Sequence, residues 1–82
     1  LENIYPNPAS AITVIPVKTT KSLEAEIEVI DILGRTMEII FSGKIPVGEH
    51  NYFIHANEYA AGTYLVNLKT ADKFFVQKLI IH

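Results

Sequence analysis

Apolar residues recur at alternate positions along most of the chain, and β-branched and aromatic types dominate them, which is the pattern of strands that bury one face. The clearest segment is Glu24–Asp31, EAEIEVID, in which Ala25, Ile27 and Val29 point one way and Glu24, Glu26 and Glu28 the other, as in an antiparallel strand with one wet side. A helix would cluster the glutamates at i, i+2, i+4 with no apolar stripe to match. Further strands are expected over Ile12–Val17, with Ile12 and Val14 on one face and Pro16 confining the segment to an edge or bulge. Others follow over Thr36–Phe41, with Met37, Ile39 and Phe41 together, and over Glu49–Ala56, with Tyr52, Ile54 and Ala56 inward. Gly62–Lys69 places Tyr64, Val66 and Leu68 on one face. In Phe74–His82 both phases are apolar, so alternation alone leaves its buried face open.

The segments between carry turn chemistry. In DILGR, Asp31 opens a type I turn and Gly34 supplies the positive φ of a short hairpin loop with a glycine bulge. Ser42–Gly48, with two glycines and Pro46, is expected as a loop, and Ala71–Asp72 marks the last turn. Short strands at 8 to 12 residue spacing with no helical period predict an all-β fold, an antiparallel immunoglobulin-like β-sandwich of about seven strands; a small, partly open barrel is the competing fold. Tyr64, just after the turn into a late strand, either closes a tyrosine corner or serves as a core aromatic. Ahead of the strands, Tyr5-Pro-Asn-Pro is stiff and short of backbone donors, so residues 1–10 are expected to be a linker and entry motif and residues 11–82 the sandwich.

Composition narrows the function. The 82 residues are 49% hydrophobic and 20% charged with a net charge of −2, enough apolar content for a core and no general attraction to nucleic acid. With no cysteine, disulfides, thiolate zinc sites and a cysteine nucleophile drop out. No apolar run is long enough to span a bilayer. The chain starts at Leu1 and its only methionine is Met37, so it is expected to be a C-terminal piece of a longer polypeptide.

Candidate chemistry is sparse. His50 and His55, five apart on one strand, point to opposite faces and cannot share an ion, and His82 is terminal. No G-x-S-x-G elbow is present, and Ser10, Ser22 and Ser42 fall in turns or linkers. The glutamate row is a solvated strand face, and no glycine loop suits a phosphate. No catalytic, metal or cofactor residue is therefore assigned. What stands out is apolar surface: Ile30, Ile40 and Leu65 are expected to face outward, and the last strand is expected to offer an apolar, unpaired edge.

Three fragments in order, YPNPAS, VIDILGRTMEI and AAGTYLVNL followed by FFVQKLIIH, make the chain resemble, from Ile4 to His82, the type A C-terminal sorting domain of the type IX secretion system of Bacteroidetes. The resemblance implies a β-sandwich that directs a covalently linked, folded N-terminal cargo from the periplasm through an outer-membrane translocon. An outer-membrane shuttle and a sortase-like peptidase are the implied partners, and the cargo is then often cleaved free and anchored at the cell surface. It matches Tyr5, Pro6, Asn7 and Pro8 to the entry motif, Asp31, Gly34 and Arg35 to the hairpin turn, and Gly62, Tyr64, Lys78, Leu79, Ile80 and Ile81 to the recognised signal. Ala11 stands where an acidic residue is common, and His82 where Lys, Arg or Gln is usual. The alternative is an immunoglobulin- or fibronectin-like spacer or a carbohydrate-binding module, whose aromatic platform would have to use Tyr52 or Tyr59.

Overall fold

The structure, a computed structural model, describes residues 3–6 and 11–82. Among them it forms β1 (Ile12–Thr19), β2 (Leu23–Asp31), β3 (Thr36–Ile45), β4 (Gly48–His55), a 3₁₀ turn (Ala56–Glu58), β5 (Gly62–Lys69) and β6 (Phe74–Ile81). The strands build two antiparallel sheets, one of β1 and β4 and one ordered β3-β2-β5-β6. Their inner faces close on one core drawn from both, with Ile15 and Ile54 from the smaller sheet meeting Ile27, Val29, Val66 and Leu79 from the larger. This is a β-sandwich, not a barrel. The chain crosses between the layers after β1, β3 and β4, so the β2–β3 hairpin, β5 and β6 share the larger sheet.

The inward residues of β2, β4 and β5 are those the alternation predicts: Ala25, Ile27 and Val29, then Ile54, then Tyr64, Val66 and Leu68 are buried, while Tyr52 of β4 is partly buried against the core and the buried Ala56 belongs to the 3₁₀ turn and not to β4. In β6, where both phases are apolar, Leu79 and Ile81 go inward while Phe74 and Val76 stay outside. The choice is set by the neighbour: Tyr64 pairs with Leu79 and Gly62 with Ile81, so β6 inherits the inward phase of β5.

Several expectations are corrected. In β1 the buried phase is Thr13, Ile15 and Val17, and Ile12 is exposed, because Thr13 and Ile15 pair with Ile54 and Tyr52 on the inward face of β4. Ser42–Ile45 is not loop but continues β3, with Ser42, Gly43, Lys44 and Ile45 opposite Glu26, Ala25, Glu24 and Leu23. Register shifts between Ile27 and Glu28 and between Val29 and Ile30 break the expected row of β3. Met37 and Ile39 end up exposed, whereas Ile40 packs against the core instead of facing outward, since each extra residue in a bulge flips the following side chains. Glu28 does lie on the outer face, yet it is buried there. Lys69 reaches it at 2.9 Å, and Asn67 and Thr36 bond to its carboxylate. The lysine is the leading cause that holds the Glu28 carboxyl below its ordinary value, against the opposing effect of burial.

The entry segment is also more than a spacer. Ile4 is buried in the core, the Tyr5 amide donates to the Val14 carbonyl at 3.1 Å, and the Val14 amide donates to the Tyr5 carbonyl at 2.7 Å. The Ile4 amide donates to Gln77 Oε1 at 2.6 Å, so this segment lies between β1 and β6. Asn7 and Pro8 of the entry motif lie outside the described residues.

Candidate functional site

Pairing between strands carries the motif segments to one end of the sandwich. Asp31, the last residue of β2, is opposite Tyr64, Tyr64 is opposite Leu79, and Gly62 is opposite Ile81. The β2–β3 hairpin, the β4–β5 corner and the finish of β6 are therefore neighbours, although they are far apart along the chain.

The hairpin is held by its first residue. The Gly34 amide donates to the Asp31 carbonyl at 3.0 Å and the Asp31 amide to the Arg35 carbonyl at 2.9 Å. The carboxylate of Asp31 then accepts from the amides of Leu33 and Arg35, each at 2.9 Å, and from Arg35 Nε at 2.7 Å. Gly34 has φ 86°, a left-handed conformation that costs a residue with a Cβ about 1 kcal/mol or more. These bonds, led by that from the Arg35 amide, hold the Asp31 carboxyl below its ordinary value. What this frame displays is apolar: Ile32 is 72% and Leu33 75% exposed. Neither side chain is required to close the turn.

At the corner the Tyr64 hydroxyl donates to the Ala60 carbonyl at 2.7 Å, closing a tyrosine corner. Gly62, at φ 155°, lets the chain enter β5 beside that ring. Tyr59 meets Tyr64 edge to face with centroids 5.4 Å apart, and its hydroxyl donates to Glu38 of β3. Burial first, and then the hydrogen bond to Glu38 and that residue's negative charge, push the Tyr59 hydroxyl well above the usual phenol range. The corner is thereby pinned both to its own loop and to the β2–β3 hairpin.

The terminal segment divides in two. Leu79 and Ile81 are buried, so their part in any signal is to hold β6 in the sheet. Lys78 is exposed and Ile80 partly buried, and both have partners. Elsewhere, His50 Nε2 lies 3.1 Å from the Pro46 carbonyl oxygen. Among the described residues no group of His, Asp and Glu is disposed to hold a metal ion, and no helix is long and apolar enough to cross a membrane. Tyr52 and Tyr59 are partly buried, Tyr52 tilted against Phe41 at 4.8 Å and Tyr59 against Tyr64, which leaves neither as a flat platform for a sugar ring.

Sequence reasoning passed over Ile32 and Leu33, which read as turn filler, and over the Glu28–Lys69–Asn67 cluster. The first could have been found by noting two large aliphatics inside a tight loop. The second needs the β2–β5 register, which no local pattern supplies.

Fold and site together define an antiparallel β-sandwich module that gathers its turn motifs at one end and carries its last strand on a sheet edge. A family model described as the secretion system C-terminal sorting domain matches residues 3–82, and the chain belongs to that family: it is a type IX secretion C-terminal sorting domain. No curated protein matches it.

Proposed function

We propose that this domain directs a folded cargo, joined to its N-terminus, from the periplasm across the outer membrane, and that the export machinery reads it end-on at the hairpin end. The translocon and its outer-membrane shuttle are the readers, with Asp31, Gly34, Arg35, Gly62 and Tyr64 shaping the surface and Lys78 to Ile81 fixing the strand beside it. A sortase-like peptidase then cuts at or upstream of Leu1–Asn3, and the cargo is retained at the cell surface. The observation that carries this reading is the register that sets Asp31 beside Tyr64 and Tyr64 beside Leu79, since nothing in a spacer requires those segments to meet. A rigid frame suits a protein reader, because little order has to be imposed when the contact forms.

The test is a reporter protein carrying residues 1–82 at its C-terminus in a type IX-competent host. The double substitution Ile32→Ser with Leu33→Ser leaves the thermal midpoint nearly unchanged, because both side chains are exposed and such changes usually stay within about 0.5 kcal/mol. It is expected to retain the reporter in the periplasm. Normal surface delivery of a folded double variant would refute end-on reading.

A further inference from the structure

A second surface lies at the opposite end of β6. Thr70 and Lys73 close the β5–β6 turn through a 2.9 Å bond from the Thr70 amide to the Lys73 carbonyl, and from there the pairing runs without a shift from Lys69 opposite Phe74 to Gly62 opposite Ile81. In an antiparallel ladder alternate residues bond the neighbour, so Phe75, Gln77, Leu79 and Ile81 bond to β5. The amides and carbonyls of Phe74 and Val76 point out of the sheet edge. Beyond them the edge is occupied: Gln77 is bonded by the Ile4 amide and by Asn3. The side chains of Phe74 and Val76 are 59% and 48% exposed.

The other edges are guarded. β1 is covered by Tyr5 and carries Pro16, β3 is broken by its register shifts, and β4 sets its exposed Phe53 between the polar Glu49, Asn51 and His55. Among the described residues this stretch of β6 is a straight, apolar edge with no strand beside it, the configuration that accepts another strand. Beside it lies an open groove of about 820 Å³, with Leu23, Leu68 and Phe75 among its lining and with Lys18, Lys21 and Lys73 outnumbering Glu24 and Asp72 among its charged residues. An added strand would set the side chain opposite Phe75 at the mouth of that groove.

We infer that the Phe74–Val76 edge is a strand-addition site for an extended segment of a partner protein, one that places a large apolar side chain in the groove and an acidic residue near Lys21 and Lys73. Backbone bonds supply the attraction and the groove the selectivity. A second copy of this chain fits less well: pairing about Phe75 would set Phe74 against Val76 of the second copy and stop at Gln77, where Asn3 and Ile4 lie. A contact of Phe74 to Val76 on each copy is far smaller than the roughly 20 to 30 residues a side of a stable interface. The inference rests on the sorting-signal reading and adds a site distinct from the hairpin end.

The reporter fusion tests it. Val76→Pro removes the outward amide without touching a bond to β5, whereas Val76→Thr keeps that amide. Export is expected to fall at least tenfold with Val76→Pro and to stay near the parent level with Val76→Thr, at similar thermal midpoints. Should Val76→Pro fail to fold, Phe74→Pro takes its place with Phe74→Ala as control, because proline is tolerated as the first residue of a strand. Joint charge reversal, Lys21→Glu with Lys73→Glu, is expected to lower export severalfold, and unchanged export would remove the acidic residue from the assignment. Equal export by the proline and threonine variants, whether normal or lost, overturns backbone reading. A concentration-dependent dimer of the 82-residue chain that Val76→Pro abolishes, seen by analytical ultracentrifugation, overturns the partner in favour of a second copy. Failure of the unsubstituted domain to export the reporter would count against the sorting function itself, not against this edge.

Discussion

Tyr64→Phe separates the two roles open to that residue. The substitution keeps the buried ring and its edge-to-face contact with Tyr59 and deletes only the hydroxyl that donates to the Ala60 carbonyl at 2.7 Å. Ala60 is exposed, so its freed carbonyl can take a water and avoids the full penalty of a buried orphan. The expected cost is therefore close to the net value of one hydrogen bond, about 1 to 1.5 kcal/mol. For a domain of this size that lowers the thermal midpoint by roughly 5 to 10 °C. Urea denaturation of the 82-residue chain, followed by far-ultraviolet circular dichroism, should show an earlier midpoint at an unchanged slope. If Tyr64 served only as a core aromatic, phenylalanine would be neutral; a midpoint within error of the parent would refute the corner as a source of stability.

The remaining expectations concern the hairpin and the core. Asp31→Asn removes the charge that pairs with Arg35; because the folded Asp31 carboxyl lies below its ordinary 3.8, its contribution is complete above that value and is lost as pH falls through the folded one. The stability gap between parent and Asp31→Asn should thus be constant near neutrality and close in strong acid, and a gap that persists there would refute the charge-based account. Ile54→Ala, at a fully buried site of β4 that neither proposed surface exposes, should cost about 2 to 5 kcal/mol. Its export defect should shrink at lower growth temperature, unlike that of the Ile32 and Leu33 double variant, and a defect independent of temperature would contradict it.

The strands, the β2–β3 hairpin and the tyrosine corner were legible because each is a local pattern: alternation over EAEIEVID, an aspartate and glycine at set offsets, a tyrosine soon after a turn. What escaped is set by partners distant in sequence. The inward phase of β1 follows from β4, and the continuation of β3 through Gly43 follows from Leu23–Glu26. Ile40 changes face only because β3 bulges against β2. Glu28 is buried because Asn67 stands opposite it and Lys69 diagonal to it, so a residue that belongs by composition to the solvated row becomes the centre of a polar cluster. Of the candidate signal residues, the exposed hairpin and the buried Leu79 and Ile81 differ in a way that chain order alone does not show.

That difference bears on what kind of signal this is. Leu79 and Ile81 lie in the core, so a reader cannot touch them without pulling β6 from β5. Removing them would leave Tyr64 and Gly62 without their strand neighbour and open the core. If export depends on the two proposed surfaces, loss of the terminal segment removes both at once, by unfolding the hairpin end and by dissolving the β6 edge, which makes truncation a poor probe of recognition. A domain with a stability of only about 4 to 12 kcal/mol, as its size implies, has little margin for such a loss. On the reading proposed above, the signal is a property of the folded sandwich as a whole: the last residues keep it closed, and an unfolded copy of the same sequence displays neither the hairpin tip nor the Phe74–Val76 edge.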